Sequence, residues 1–358
     1  MDEQVESWGK VLQDFEAERR RAIEEAQRSG RPPIINLDSI VDAKISGLYS
    51  LTQRPLIIYA VDFFTPQKVA AAGVDIQILP SDKDGFIEVI RELPSGPLDV
   101  ILHSPGGSLE ATEAIVSILR KKFNHIRFII PNIAKSAATM LALSGDEIVM
   151  ASSAELGPID PQFNFPRGDG TIIPSPAQAI IDQFEEAEKE LSRNPSKLPA
   201  WIPILPMYGP SLYQDCKNVL KLSKEVVRTW LMDYMFKDLP KTARVNRARK
   251  VVNYFAKHKH FKSHGRKIGI SEIEKNLKGL LKLKALDSDE VFYNRVMGVY
   301  FSLLVTFQQN PTPYKIFWNH LGRKFVRHVQ GAVIQIPVQR QVPPPPQSVP
   351  PQPPSSTP

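Results

Sequence analysis

A chain of 358 residues, 42% hydrophobic and 23% charged, can bury a sizeable core as one large domain or two ordinary ones. The single cysteine, Cys216, excludes an internal disulfide framework and any cysteine-built metal site, and points to a reducing compartment. A formal charge of +7 raises the question of nucleic acid, and eleven Lys or Arg against one acid, Asp238, lie between Lys237 and Lys267. Without a zinc finger, an RNA-recognition sequence or a helix-turn-helix, that stretch reads as a solvated helix face, and no nucleic-acid partner is expected.

In chain order, Val5, Trp8, Val11, Leu12 and Phe15 recur at helical spacing, which predicts a charged amphipathic helix over about residues 1–30. Gly30, Pro32 and Pro33 end it. Nothing there resembles a secretory leader, and no apolar run approaches the roughly 20 residues that cross a bilayer, so a cytoplasmic protein is expected. Strand patterns follow at Leu56–Phe64, Leu98–Ser104, Ile126–Ile130 and Glu147–Ala151, alternating with helix patterns at Phe86–Leu93, Leu109–Phe123 and Ser136–Ser144. Apolar strands alternating with helices predict an α/β core with a parallel sheet covered on both faces. Beyond Pro166 the pattern is helical: 176–191, 211–236, 245–259, 271–283 and 290–309, with a proline-rich connector near residues 195–210. The expected organisation is an amphipathic helix and linker (1–45), a core with helical extension (46–285), a C-terminal helical segment (286–341) and a disordered Pro-rich tail (342–358).

Two strand-to-helix turns carry chemistry. In Ser104-Pro105-Gly106-Gly107-Ser108 the paired glycines allow a sharp turn whose amides are unobstructed, as a developing oxyanion requires. In Ala134-Lys135-Ser136-Ala137-Ala138 a serine opens a helix among small residues. It is either a helix cap or a hydroxyl presented to a cleft. One helix and one strand separate the two turns, which places both at one edge of the sheet. A third segment, Glu155-Leu156-Gly157-Pro158-Ile159-Asp160-Pro161, follows the next strand.

Taken together and in this order, these three segments resemble the serine dehydrogenase proteinase family, relatives of signal peptide peptidase A in the Clp/crotonase superfamily. The likeness is close over about residues 98–165. It implies a Clp/crotonase-type fold and a serine peptidase working through an acyl-enzyme on Ser136, with Gly106, Gly107 and Ala137 around the oxyanion. Where the Clp-type subunit places its histidine, this chain has Ile159-Asp160-Pro161. A lysine base, as in signal peptide peptidases, is therefore expected, with Lys189 preferred to Lys197 for its span from Ser136. A neutral lysine needs burial or nearby positive charge to act so. His264, in Ser263-His264-Gly265, is the other candidate base, with the better intrinsic pKa but the setting of a surface turn. Asp160 could orient a base, bind a substrate amine or cap a turn. Lys135 is expected to point away from the face that Ser136 presents.

Two alternatives stay open: an inactive scaffold of the same fold, and an acyl-CoA enzyme of the crotonase branch. No metal or nucleotide signature is present, so no cofactor is expected. The resemblance implies a peptide or protein substrate and a homo-oligomer; peripheral membrane association is left open.

Overall fold

The computed structural model describes residues 5–166, 172–204, 209, 211–257, 261 and 263–329. The expected tail at 342–358 lies outside them. A seven-stranded sheet runs in the order β11-β10-β1-β2-β3-β5-β9. Its strands are β1 (Leu56–Val61), β2 (Gly96–His103), β3 (Phe123–Ile130), β5 (Glu147–Met150), β9 (Leu283–Ala285), β10 (Pro313–Asn319) and β11 (Lys324–His328). From β1 to β9 neighbouring strands pair in parallel, while β10 lies antiparallel to β1 and β11 antiparallel to β10. The α/β class with a mostly parallel sheet is thus as expected. The segment beyond residue 286 is more than helical, since after its helix a hairpin closes one side of this sheet.

The strand period fixes which helices cover which face. Phe317 and Trp318 are consecutive on β10 and point to opposite sides. Phe317 and its cross-strand partner Tyr59 pack against Phe86 of the helix α4 (Asp82–Ile90). On the other side the Trp318 Nε1–H donates to Asp42 Oδ1, 2.9 Å, on the helix α2 (Asp38–Thr52). The helix α1 (Trp8–Ser29) begins at Ser7, whose hydroxyl accepts the Lys10 N–H, and ends at Gly30 in the left-handed region, φ 65°. The remaining helices are α3 (Pro66–Ala72), α5 (Leu109–Lys122), α6 (Ala137–Leu143), α7 (Ala177–Arg193), α8 (Leu198–Trp201), α9 (Leu212–Trp230), α10 (Lys241–Phe255), α11 (Ile270–Leu277) and α12 (Glu290–Gln309). The Ser108 hydroxyl caps α5, and Arg120, Lys121 and Lys122 in its last turn complement the helix dipole. No helix among the described residues is long and apolar enough to cross a membrane.

Charges inside this core are paired. Asp82 accepts hydrogen bonds from Lys315 at 2.9 Å and from the Tyr59 hydroxyl at 3.0 Å, and Asp99 on β2 binds both Arg54 and Arg127. Removing one partner of such a pair typically costs about 3–5 kcal/mol, because it strands the other charge. Several cations of the basic 237–267 stretch serve the same end. Lys237 pairs with Asp146, while Arg244 and Arg247 donate to backbone carbonyls at the ends of neighbouring elements.

Candidate active site

Because β2, β3 and β5 run parallel, the loops leaving their C-terminal ends share one edge of the sheet, where open α/β sheets bind ligands. After β2 comes the glycine turn. After β3 come β4 (Ile133–Ala134) and Ser136. After β5 come β6 (Glu155–Leu156) and Asp160. Small backbone pairings hold the three together: Ser104 bridges to Ala134, and β4 pairs in parallel with β6.

Ser136 sits between β4 and α6 with φ 50° and ψ −122°. A side chain held in this left-handed region costs on the order of 1–3 kcal/mol and persists only where its surroundings impose it. Thr139 braces the turn: its hydroxyl donates to the Ala134 carbonyl at 2.7 Å and accepts the Gly157 N–H at 2.9 Å. The result is a sharp strand-to-helix turn with Ser136 at its apex. Two glycines make room for it. A Cβ on Gly106, itself at φ 99°, would lie 2.7 Å from the Ser136 Cβ and 2.5 Å from the Lys135 carbonyl oxygen. A Cβ on Gly157 would lie 2.8 Å from Lys135 Cδ.

Ser136 is half-buried and lines a cavity of about 440 Å³. Gly106, Gly107, Asp160 and His264 line it too, and Ile76, Leu109, Met140, Ile159, Phe163 and Val219 supply its apolar wall. Asp160 is buried, and its Oδ1 lies 2.9 Å from Nδ1 of His264. A carboxylate there accepts the Nδ1–H and fixes the tautomer, which leaves Nε2 as a proton acceptor.

Of the expected oxyanion donors, Gly106 already directs its N–H to Ser104 Oγ, 3.2 Å, and contributes the close approach instead. The N–H groups of Gly107 and Ala137 have no hydrogen-bond partner among the described residues. Lys189 does not meet Ser136. It lies on α7 in a separate groove with Asp182, Glu185, Glu186 and Glu190, and Lys197 lies there too, 3.5 Å from Glu190. The expected Ser136 and Lys189 juxtaposition is therefore not what the fold brings about; His264 and Asp160 share the cavity of Ser136 instead. Lys135 turns away from that cavity, as its position beside Ser136 implies, and its Nζ pairs with Glu155 at 2.7 Å.

Sequence reasoning missed the wall built by Gln162, Phe163 and Asn164 on β7 (Gln162–Pro166), which pairs with β8 (Ile172–Pro176). The alternation of Phe163 and Phe165 was the available signal. It missed Val219 of α9 as well, which only the fold brings to the cleft.

Residues 73–191 match the profile of the ClpP-like SDH-type serine proteinases, a stretch that includes Gly106, Gly107, Ser136 and Asp160 and ends before His264. Two uncharacterized proteins of Methanocaldococcus jannaschii are similar. One is 39% identical over 83 residues, 23% of this chain and 29% of the relative; the other is 33% identical over 112 residues, 31% and 35%. The chain thus spans about a third of the length of these relatives. Among solved structures, two variants of a 1510-N membrane-bound stomatin-specific protease show a loose likeness. A serine-to-alanine variant is 15% identical at TM-score 0.32, covering 58% of this chain and 75% of its own. A lysine-to-alanine variant with a substrate peptide is 19% identical at TM-score 0.34, covering 60% and 74%. A likeness of that degree bears no weight on function.

Proposed function

We propose that the chain, whose residues 73–191 match the profile of the ClpP-like SDH-type serine proteinases, hydrolyses peptide bonds with Ser136 as nucleophile, His264 as general base and Asp160 as the carboxylate that orients it. One observation carries this reading: a serine forced into a left-handed turn lines the same cavity as a histidine whose Nδ1 is held by a buried carboxylate. His264 Nε2 takes the Ser136 hydroxyl proton as Oγ attacks the scissile carbonyl carbon. The oxyanion that forms is held by the N–H groups of Gly107 and Ala137. Collapse breaks the C–N bond, the proton passes from Nε2 to the leaving amine, and water then frees the acyl group by the reverse sequence. Among the described residues the lining adds one further carboxylate, Glu110, to the apolar wall and no lysine or arginine, which favours an apolar or basic substrate side chain over an acidic one. Neither Lys189 nor Lys197 takes part.

The test is degradation of fluorescein-labelled casein by the full chain and by Ser136→Ala, His264→Ala and Asp160→Asn. Each substitution should lower turnover by about 10³-fold or more, as losses from such a triad do. Undiminished cleavage by His264→Ala would remove the histidine from the mechanism, and undiminished cleavage by Ser136→Ala would remove the serine.

A further inference from the structure

Lys135 is the residue before the nucleophile, yet it is tied to the segment that carries the base. Its Nζ donates to the carbonyls of Arg266 at 3.0 Å and Gly265 at 3.4 Å, both within two residues of His264. The same Nζ pairs with Glu155 at 2.7 Å, and the side chain is only 15% exposed. Its stem crosses Gly157, the one residue type whose missing Cβ leaves that path open. Among the described residues, 263–268 have one backbone pairing with the body of the protein, between Ile268 and Leu156, with N–H···O distances of 3.0 Å each way. That bridge fixes Ile268, four residues past the base, whereas the Lys135 ammonium grips the two peptide groups that follow His264 directly.

We propose that Lys135 is a positioning residue: it clamps the segment bearing His264 to the turn bearing Ser136, so that nucleophile and base hold one geometry. The proposal rests on the triad reading above. Glu155 is part of the clamp, because its carboxylate pairs with the same ammonium, and Lys267 adds a second strap through the Ser153 carbonyl at 3.1 Å. Two strand loops and an interhelical segment are thereby joined at one point: the Ser136 loop by the lysine, the Asp160 loop by Glu155, and the His264 segment by its carbonyls.

Hydrolysis of p-nitrophenyl acetate by the full chain tests it, with Lys135→Met, Lys135→Arg, His264→Ala and the double variant Lys135→Met/His264→Ala, each checked for its melting temperature. A displacement of the base by about 1 Å lowers kcat on the order of 100-fold, so Lys135→Met should lose roughly 10–100-fold in kcat with KM nearly unchanged. Lys135→Arg, which keeps the donors, should recover most of that loss. In the His264→Ala background the methionine substitution should cost nothing more, because a residue acting only through His264 has nothing left to position. A wild-type kcat in Lys135→Met, a loss that persists at full size without His264, or an arginine variant that melts normally without recovering, each overturns the clamp. Wild-type turnover by His264→Ala overturns the triad itself, and so separates that failure from failure of the clamp.

Discussion

Acid should weaken this fold through one histidine. His103 ends β2 just before the glycine turn, 1% exposed, with Phe63 stacked on it at 4.9 Å and Tyr300 edge-on at 5.2 Å. Among the described residues neither ring nitrogen makes a well-formed hydrogen bond, and the nearby Ile133 backbone only partly offsets the burial. Burial pushes its pKa down to about 3, against the opposing pull of the Asp62 carboxylate. In the unfolded chain the same ring titrates near its ordinary value of about 6.5. Between these values the unfolded state binds a proton that the folded state refuses, so stability is fully present above about pH 6.5 and falls as the pH drops towards 3. The slope is roughly 1.4 kcal/mol per pH unit, or about 3 kcal/mol between about pH 6.5 and about pH 4. His103→Leu, of similar volume, removes the titration. At neutral pH it gives up aromatic contacts worth about 0.5–1.5 kcal/mol but also removes a buried polar ring that lacks a well-formed hydrogen bond. Urea unfolding at both pH values, followed by tryptophan fluorescence, should show the wild type losing about 3 kcal/mol more than the variant. Parallel losses in the two proteins would refute the argument.

Gly106→Ala should disrupt the site from outside the proposed triad, because its Cβ would meet the Lys135 carbonyl oxygen at 2.5 Å and Ser136 Cβ at 2.7 Å from a backbone at φ 99°. Strain and overpacking together predict a destabilisation of about 2–5 kcal/mol, read as a lower melting temperature, and loss of hydrolysis out of proportion to it. Asp146 joins Arg120, Lys237 and the Ile126 N–H, and although burial alone would raise its pKa, these partners hold the carboxyl below its ordinary value. Its contribution is present above the ordinary carboxylate range and is lost as the pH falls through the lowered value. Asp146→Asn should cost about 3–5 kcal/mol at neutral pH, since it strands the buried Arg120 guanidinium, and less in acid; a constant difference across pH in chemical unfolding would contradict this.

The alternating half of the fold was legible because its strands are continuous apolar runs: β2, β3 and β5 lie within two or three residues of the expected bounds. What escaped was structure whose pattern depends on a distant partner. In β10 the run is broken by Lys315 and Asn319, both buried, and a lysine there is tolerated only because Asp82 faces it. The strand β9 has three residues, too few for a period to appear, and it took the end of an expected helix that stops at Leu277 where Lys278 and Gly279 turn left-handed. The helix α2 hid in the presumed linker, although Val41, Ile45 and Leu48 lie on one face of it. For the candidate site, the placing of Ser136 and the glycine turn at one edge of the sheet was readable from strand-to-helix spacing. The pairing of His264, the second candidate base, with Asp160 was not: 104 residues separate them and no periodicity links them, whereas Lys189, preferred for its sequence span, lies in the separate groove of α7.

Active-site labelling with a fluorophosphonate measures the central claim most directly, as the rate at which the probe is captured and the residue that carries it. Wild type and Lys189→Ala should both be modified on Ser136 at the same rate, while His264→Ala should react slower by about 10³-fold or more. Rapid capture by His264→Ala, or a label on any residue other than Ser136, would contradict the account.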